Sequence, residues 1–339
     1  MKKGILLIGM LTAWNVQAQD VAHYTPGTLD EGVVYYLPKT QLEIKVTATK
    51  VTYTPGELCQ YANRYLRLQG ISSQPSEHWE INNIQVQTMG VPDADKAYAI
   101  KVKDKMVTSQ VELTENGIIR AINTTAPAEE KTRKEKPTKK AERVDPRNFM
   151  TEEILMAGSS NKMAELIAKE IYNIRESKNS LTRGQADYMP QDGAALKIML
   201  NNLEEQEKAL TEMFSGYTER TEKTFTFQVE PEQEIANQVV CRFSKKLGVV
   251  NENNLAGEPI SISVTNESNL PPADEEAKAK KKLEGVIYNI PGKGNVTIKG
   301  LGKTWFDNEL PVTQFGETEV LLNNLFNKKV NTRVIFNPV

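Results

Sequence analysis

The hydrophobic residues of this chain change period twice, and that change limits the possible folds more than any other feature of the sequence. From Gly32 to Lys50 the pattern is that of β structure: Val33 to Tyr36 lead into a turn expected at Pro38-Lys39, and Leu42, Ile44, Val46 and Ala48 then alternate with polar residues. Between Ser159 and Gly216 the period becomes helical. Ser159 and Ser160 offer caps to a stripe of Met163, Leu166, Ile167, Ile171 and Ile174, with Glu165 and Lys169 as a surface pair and Gly184 as the stop. Asp192 caps a second stripe of Leu196, Met199, Leu200, Leu203, Leu210, Met213 and Phe214 that ends at Gly216. Two long one-sided stripes need a partner, and each is the nearest partner for the other, so an αα-hairpin is expected. Alternation then returns at Phe225, Phe227 and Val229, at Val239, Cys241 and Phe243, and at Ile260, Ile262 and Val264. The class expected is α+β, with two β-rich, sandwich or open-barrel-like regions flanking a central αα-hairpin.

Finer signals fill in these regions. Thr54-Pro55-Gly56-Glu57 has the form of a capping box with proline at the first helical position. It predicts a helix from there to Gly70 carrying Leu58, Tyr61, Ala62, Tyr65 and Leu66. Trp79 to Thr88 and Tyr98 to Val102 read as strands separated by a turn at Val91 to Asp95, and Asn116-Gly117 is a hairpin signal between Val111 to Leu113 and Ile118 to Ile122. Val286 to Ile290 and Val296 to Ile298 are expected to pair across a turn at Pro291 to Asn295, with further strands at Val312 to Phe315 and Arg333 to Phe336. Gly32-Val33-Val34-Tyr35-Tyr36-Leu37-Pro38 matches Gly285-Val286-Ile287-Tyr288-Asn289-Ile290-Pro291 at its Gly, Val, Tyr and Pro positions; a duplicated β unit and two convergent hairpins both account for this.

The first residues carry an address rather than a fold. Lys2 and Lys3 precede an apolar stretch from Gly4 to Ala13, and Val16-Gln17-Ala18 places small residues where a signal peptidase reads, so residues 1–18 are expected to be a signal peptide. The stretch is shorter than the ~20 apolar residues of a membrane span, and no cysteine follows the cut to carry a lipid. Past it no run is long enough to cross a bilayer, and a periplasmic or secreted location is expected. The remaining divisions are a β-rich domain with one short helix (19–125), a charged flexible linker (126–150), the helical hairpin (151–216) and a second β-rich domain (217–339). The linker reading rests on interleaved charge with little apolar area to bury, and Pro271 to Lys282 is expected to be a mobile loop on the same grounds.

Several of these stretches, taken with Gln60 to Leu66, Ala168 to Glu176, Pro190 to Gly193, Glu207 to Gly216 and Cys241 to Ser244, resemble a family of exported envelope proteins of Gram-negative anaerobes that is catalogued only as a domain of unknown function. The resemblance covers nearly the whole mature chain. It implies export and a shared architecture; the family has no established activity, so no functional residue is carried over.

A search for chemistry returns no catalytic, cofactor-binding or metal-binding residue. His23 and His78 are the only histidines, the first close to the new N-terminus and the second beside Trp79 at a strand entrance, and no Gly-x-Ser-x-Gly elbow occurs. Two histidines and two distant cysteines, Cys59 and Cys241, do not form a zinc set, and separate buried thiols are favoured over a disulfide between them. Asp93 and Asp95 lack the rest of a calcium loop, and Gly292-Lys293-Gly294 has no helix after it to bind phosphate. Glu204, Glu205 and Glu207 read as a solvated helix face. A net charge of -2 favours neither nucleic acid nor an anionic membrane. The expectation is an exported, non-enzymatic binding or structural component of the envelope with a protein or glycan partner. The alternatives are a glycan hydrolase using paired carboxylates and an accessory subunit of a surface-assembly or secretion complex, which would show an exposed apolar patch. Mass spectrometry of the exported protein is expected to find Gln19 at its N-terminus; an intact Met1 form in the envelope would overturn the export reading.

Overall fold

Leu42, Ile44 and Val46 all point to one side of a strand, and in the folded chain that side is fully closed from water. The computed structural model describes residues 21–23, 33–100, 111–127, 143–190, 192–268, 285–322 and 332–337. The leader with Gln19, the middle of the charged stretch (128–142), Val102, the loop expected at 271–282 and the side chain of His23 lie outside the described residues.

The fold is α+β. In chain order its strands are β1 (Val21–His23), β2 (Val33–Thr54), β3 (Ser76–Ile100), β4 (Val111–Leu113), β5 (Ile119–Ile122), β6 (Tyr217–Val229), β7 (Ile235–Ser244), β8 (Gly248–Val250), β9 (Glu258–Asn266), β10 (Gly285–Gly300), β11 (Lys303–Leu322) and β12 (Val334–Ile335). Its α-helices are α1 (Ala62–Leu66), α2 (Glu152–Leu155), α3 (Ser160–Thr182) and α4 (Gly193–Ser215). Three antiparallel sheets result, ordered β1-β3-β2-β6, β11-β10-β9-β7-β8 and β12-β5-β4. The sheets do not follow the order of the chain. Strand β6, which leaves the helical hairpin, pairs along β2 from Leu42↔Val229 to Thr54↔Tyr217. One core joins Leu42, Ile44, Val46, Ile84 and Val86 to Cys241, Ile260, Ile262, Val296 and Ile298, so residues from both sides of the hairpin form one sandwich.

Three expected turns are bulges inside long strands. β2 continues through Pro38 with a register shift between Tyr36 and Pro38, where Pro38 faces Pro92 of β3. Residues 93–96 swell outward there, Asp93 Oδ1 accepting from the Asp95 N–H, instead of reversing the chain. β10 likewise continues through Pro291, shifting between Ile290 and Gly292. The physical reason is shared: proline has no N–H to give a ladder, and a bulge is the place in a sheet that asks for none. Both hairpins therefore bend, and beyond the bends their ends meet in a second core of Tyr35, Leu37, Tyr98, Ile100, Val286 and Ile287, closed by Ile119 and Ile122 of the small sheet. Val33 to Pro38 and Gly285 to Pro291, within the two stretches that match in sequence, are thus the strand halves that run from this second core into a proline bulge. The Asn116-Gly117 turn forms as expected, with Gly117 at φ +82° between β4 and β5.

Where the bent hairpins cross, side chains do the work of a ladder. β6 reaches β2 only as far as Leu42, so among the described residues Thr40 has no strand on that side. The Thr40 N–H donates instead to Thr313 Oγ1 (2.8 Å) and Gln314 Oε1 (2.9 Å), the Thr313 N–H donates to Thr40 Oγ1 (2.9 Å), and Gln314 Nε2 donates to the Thr40 carbonyl (2.8 Å). Thr40 is fully buried and Thr313 nearly so. Deeper in, Tyr35 Oη donates to the Ile287 carbonyl and accepts from the Ile287 N–H, while Asn289 Nδ2 donates to the Pro38 carbonyl (2.7 Å).

The helical layer sits at the far end of β2 and β6. Ser159 and Asp192 cap α3 and α4 as expected, accepting from the Lys162 and Ala194 N–H groups. Glu165 meets Lys162 rather than Lys169. The first helix departs from expectation: Thr54 ends β2, a single 3-10 turn forms at Cys59–Tyr61, and α1 follows with no side-chain cap. Tertiary bonding overrides the capping box here, because the Leu58 N–H is held by the Met213 carbonyl at the end of α4 (2.8 Å). The helix also stops early, at Arg67 with φ +56° rather than at Gly70. Of the stretch expected as linker, residues 143–150 have fixed places. Asp145 caps a 3-10 turn at Pro146–Phe149, and Phe149 and Met150 pack on the helical core. The change Thr40→Val keeps the shape at the crossing but strips the acceptor from the buried Thr313 N–H. A loss of about 1–3 kcal/mol is expected, read as a lower urea midpoint at unchanged slope.

Candidate binding surface on the helical layer

The stripe of α4 is buried for only half its length. Ala209, Leu210, Met213 and Phe214 are closed against Ile167, Ile171 and Ile174 of α3, Ile154 of α2, and Leu58, Ala62 and Leu66 around α1. Toward the closed end of the hairpin the same stripe emerges: Leu203, Leu200 and Leu196 are half-buried and Met199 is 36% exposed. Two further apolar side chains lie off the stripe, Ile198 at 61% and Tyr188, in the connecting loop, at 79%. The proximal half is covered because α3 and the 3-10 turns at Cys59–Tyr61 and Pro146–Phe149 lie against it, while α1 packs on α3.

An ion network marks the boundary between the covered and uncovered halves. Glu207 of α4 accepts from Arg175 Nε (2.6 Å) and Lys178 Nζ (3.1 Å) of α3, and Lys178 also meets Glu204 at 3.6 Å. Glu207 is therefore a clamp between helices rather than part of a solvated face, while Glu204 remains 63% exposed. Burial pushes the Glu207 carboxyl up, but the hydrogen bonds and charges of Arg175 and Lys178 outweigh it and hold the carboxyl below its ordinary range.

A second, aromatic face lies where α1 meets α3. Tyr65 Oη donates to Asn161 Oδ1 (2.9 Å) and Tyr172 Oη donates to the Tyr65 carbonyl (3.0 Å). The Arg64 and Arg175 guanidinium groups lie 5.3 and 5.6 Å from the Tyr65 and Tyr172 ring centres. Half of the Tyr172 side chain faces water, and the arginines cover part of the rings as cations over π faces.

The residues weighed for chemistry do not come together. His78 Nε2 sits 3.1 Å from Glu80 Oε1 on an exposed strand face. Asp93 serves its own bulge and Lys96, at 3.5 Å. Gly292 and Gly294 lie within β10, where a side chain at Gly292 would strike the Phe315 carbonyl. Cys59 and Cys241 are both free; Cys241 lies in the sandwich core, where burial pushes its thiol up to about 12, and Cys59 begins the 3-10 turn of the helical layer. Among the described residues no group of three or more His, Cys, Asp or Glu could hold a metal ion, and no helix is long and apolar enough to cross a membrane. Of the exposed surface, Ile198 carried a sequence signal, an apolar residue off the helical stripe; Tyr188 carried none, since a lone tyrosine in a connector has no period to break.

A family model described as Domain of unknown function (DUF4831) matches residues 31–339. No curated protein and no solved structure matches the chain.

The lowered carboxyl of Glu207 adds stability that is complete above the ordinary carboxylate range and is lost as the pH falls through the lowered folded value. Glu207→Gln is expected to lower stability by about 1–2 kcal/mol at neutral pH, less than a fully buried pair because Arg175 is partly solvated. The gap from wild type should close toward acid pH in urea titrations run across a pH series.

Proposed function

The chain belongs to the family described as Domain of unknown function (DUF4831), and from that premise we propose that it is an exported envelope protein that binds a protein partner through the closed end of its helical hairpin, without catalysing a reaction. The observation that carries this reading is the emergence of Met199, Ile198 and Tyr188 into solvent at the tip of a hairpin whose other half is packed. Apolar area that one's own core leaves uncovered gains free energy when a partner removes it from water, at roughly 25 cal/mol per Å². Tyrosine and methionine are enriched in protein interfaces over the rest of the surface, and tyrosine is among the residues that most often carry the binding energy. Export rests on the leader, with its positive start, short apolar stretch and small residues before Gln19.

The test is affinity capture from the envelope fraction of the native host, comparing the wild-type protein with the Tyr188→Ser/Ile198→Glu double variant. Both positions are solvent-exposed, so the variant is expected to keep its fold by circular dichroism. A stoichiometric protein should travel with the wild type and bind the variant roughly 30-fold more weakly or worse. Equal recovery with both proteins, or no stoichiometric companion of the wild type, would sink the proposal.

A further inference from the structure

Strand β6 forms an edge of the four-stranded sheet and, among the described residues, pairs on one side only, with β2. Its residues 220–224 are exposed in succession, so both faces of the strand are wet there. Such an edge is a template for another strand unless charge blocks it. This edge reads Tyr217-Thr218-Glu219-Arg220-Thr221-Glu222-Lys223-Thr224-Phe225, and its charges are arranged so that the strand complements itself when reversed.

We propose that β6 is a homodimer interface, in which the β6 edges of two copies pair antiparallel about a two-fold axis at Thr221. In that register Glu219 faces the partner's Lys223 on one side of the sheet, and Arg220 faces the partner's Glu222 on the other. Each contact occurs twice by symmetry, while Thr218 meets the partner's Thr224 and Tyr217 meets the partner's Phe225. Residues directly opposite across an antiparallel pair are close enough for opposite charges to attract and like charges to repel. The register is specified as well as permitted. Moving the axis to residue 219, 220, 222 or 223 sets Glu219, Arg220, Glu222 or Lys223 against its own copy, a like-charge contact in every case. The same charges that keep foreign strands off the edge therefore admit one partner in one register.

The strand is ready for this. It is held straight by thirteen register pairs with β2. Arg220 keeps a contact with Glu80 at 3.3 Å while remaining 63% exposed, and Glu222 accepts from Asn82 at 3.2 Å. The pairing would join two four-stranded sheets into one continuous sheet.

Sedimentation velocity of the purified full chain over a concentration series tests the proposal, alongside the variants Glu219→Lys, Lys223→Glu and the Glu219→Lys/Lys223→Glu swap. The wild type is expected to show a reversible monomer–dimer equilibrium. Each single reversal places two like-charge contacts in the interface and should weaken self-association by about tenfold or more. The swap should restore it, and an equimolar mixture of the two single variants should form heterodimers, because mixing returns an opposite charge to both positions. That recovery also shows that the single variants are folded. A wild type that stays monomeric at all concentrations, single variants that dimerise as the wild type does, or a mixture that fails to associate would overturn it.

Discussion

Two bent hairpins that cross at their bends are the constraint on which the rest of this architecture depends. Proline places the bends, since Pro38 and Pro291 each sit where a ladder must skip a donor. The crossing then has to satisfy backbone groups that no strand reaches, and Thr40, Thr313 and Gln314 supply donors and acceptors in the geometry a strand would have offered. Because the hydrogen bonds are reciprocal and buried, the angle between the hairpins has little freedom. The sandwich core and the smaller core beneath it are two sides of the same crossing, one above the prolines and one below.

The helical layer is attached by different means. It is held where β2 ends and β6 begins, by the Leu58 N–H on the Met213 carbonyl and by Tyr53 Oη on the Ser215 carbonyl (3.0 Å). Arg143 adds a third strut, paired with Glu212 at 3.0 Å and stacked 3.6 Å over the Tyr217 ring. These contacts lie at the root of the hairpin. Its outer half is left to the Glu207 clamp and to whatever it meets.

How much of this was readable beforehand follows from how local each signal is. Caps at Ser159 and Asp192, the Asn116-Gly117 turn and the two helical stripes are decided by neighbours in sequence, and each formed where its residues put it. Pro38-Lys39, Val91 to Asp95 and Pro291 to Asn295 read locally as reversals because the residues that make a turn also make a bulge. What separates the two is whether the partner strand continues past the site. The capping box at Thr54 failed for a related reason: β2 extended to claim that threonine. The pairing of β2 with β6 had no local mark at all, since the two are separated by the whole hairpin. On the surface, the α4 stripe announces itself as apolar but cannot say that its outer half lacks a cover, which depends on where the distant 3-10 turns at Cys59–Tyr61 and Pro146–Phe149 settle.

Gly216 joins α4 to β6 as the single residue between them, at φ +70° and ψ −173°, a backbone conformation open to glycine alone. A side chain there would strike the Thr54 carbonyl and the Tyr53 ring. Helix and strand thus meet directly at that tight corner, and α4, with twenty-three residues, extends about 35 Å from it. Mechanically the hairpin is a cantilever. Force applied to its free end arrives as torque on the first residues of β6, at the exposed border of the sheet.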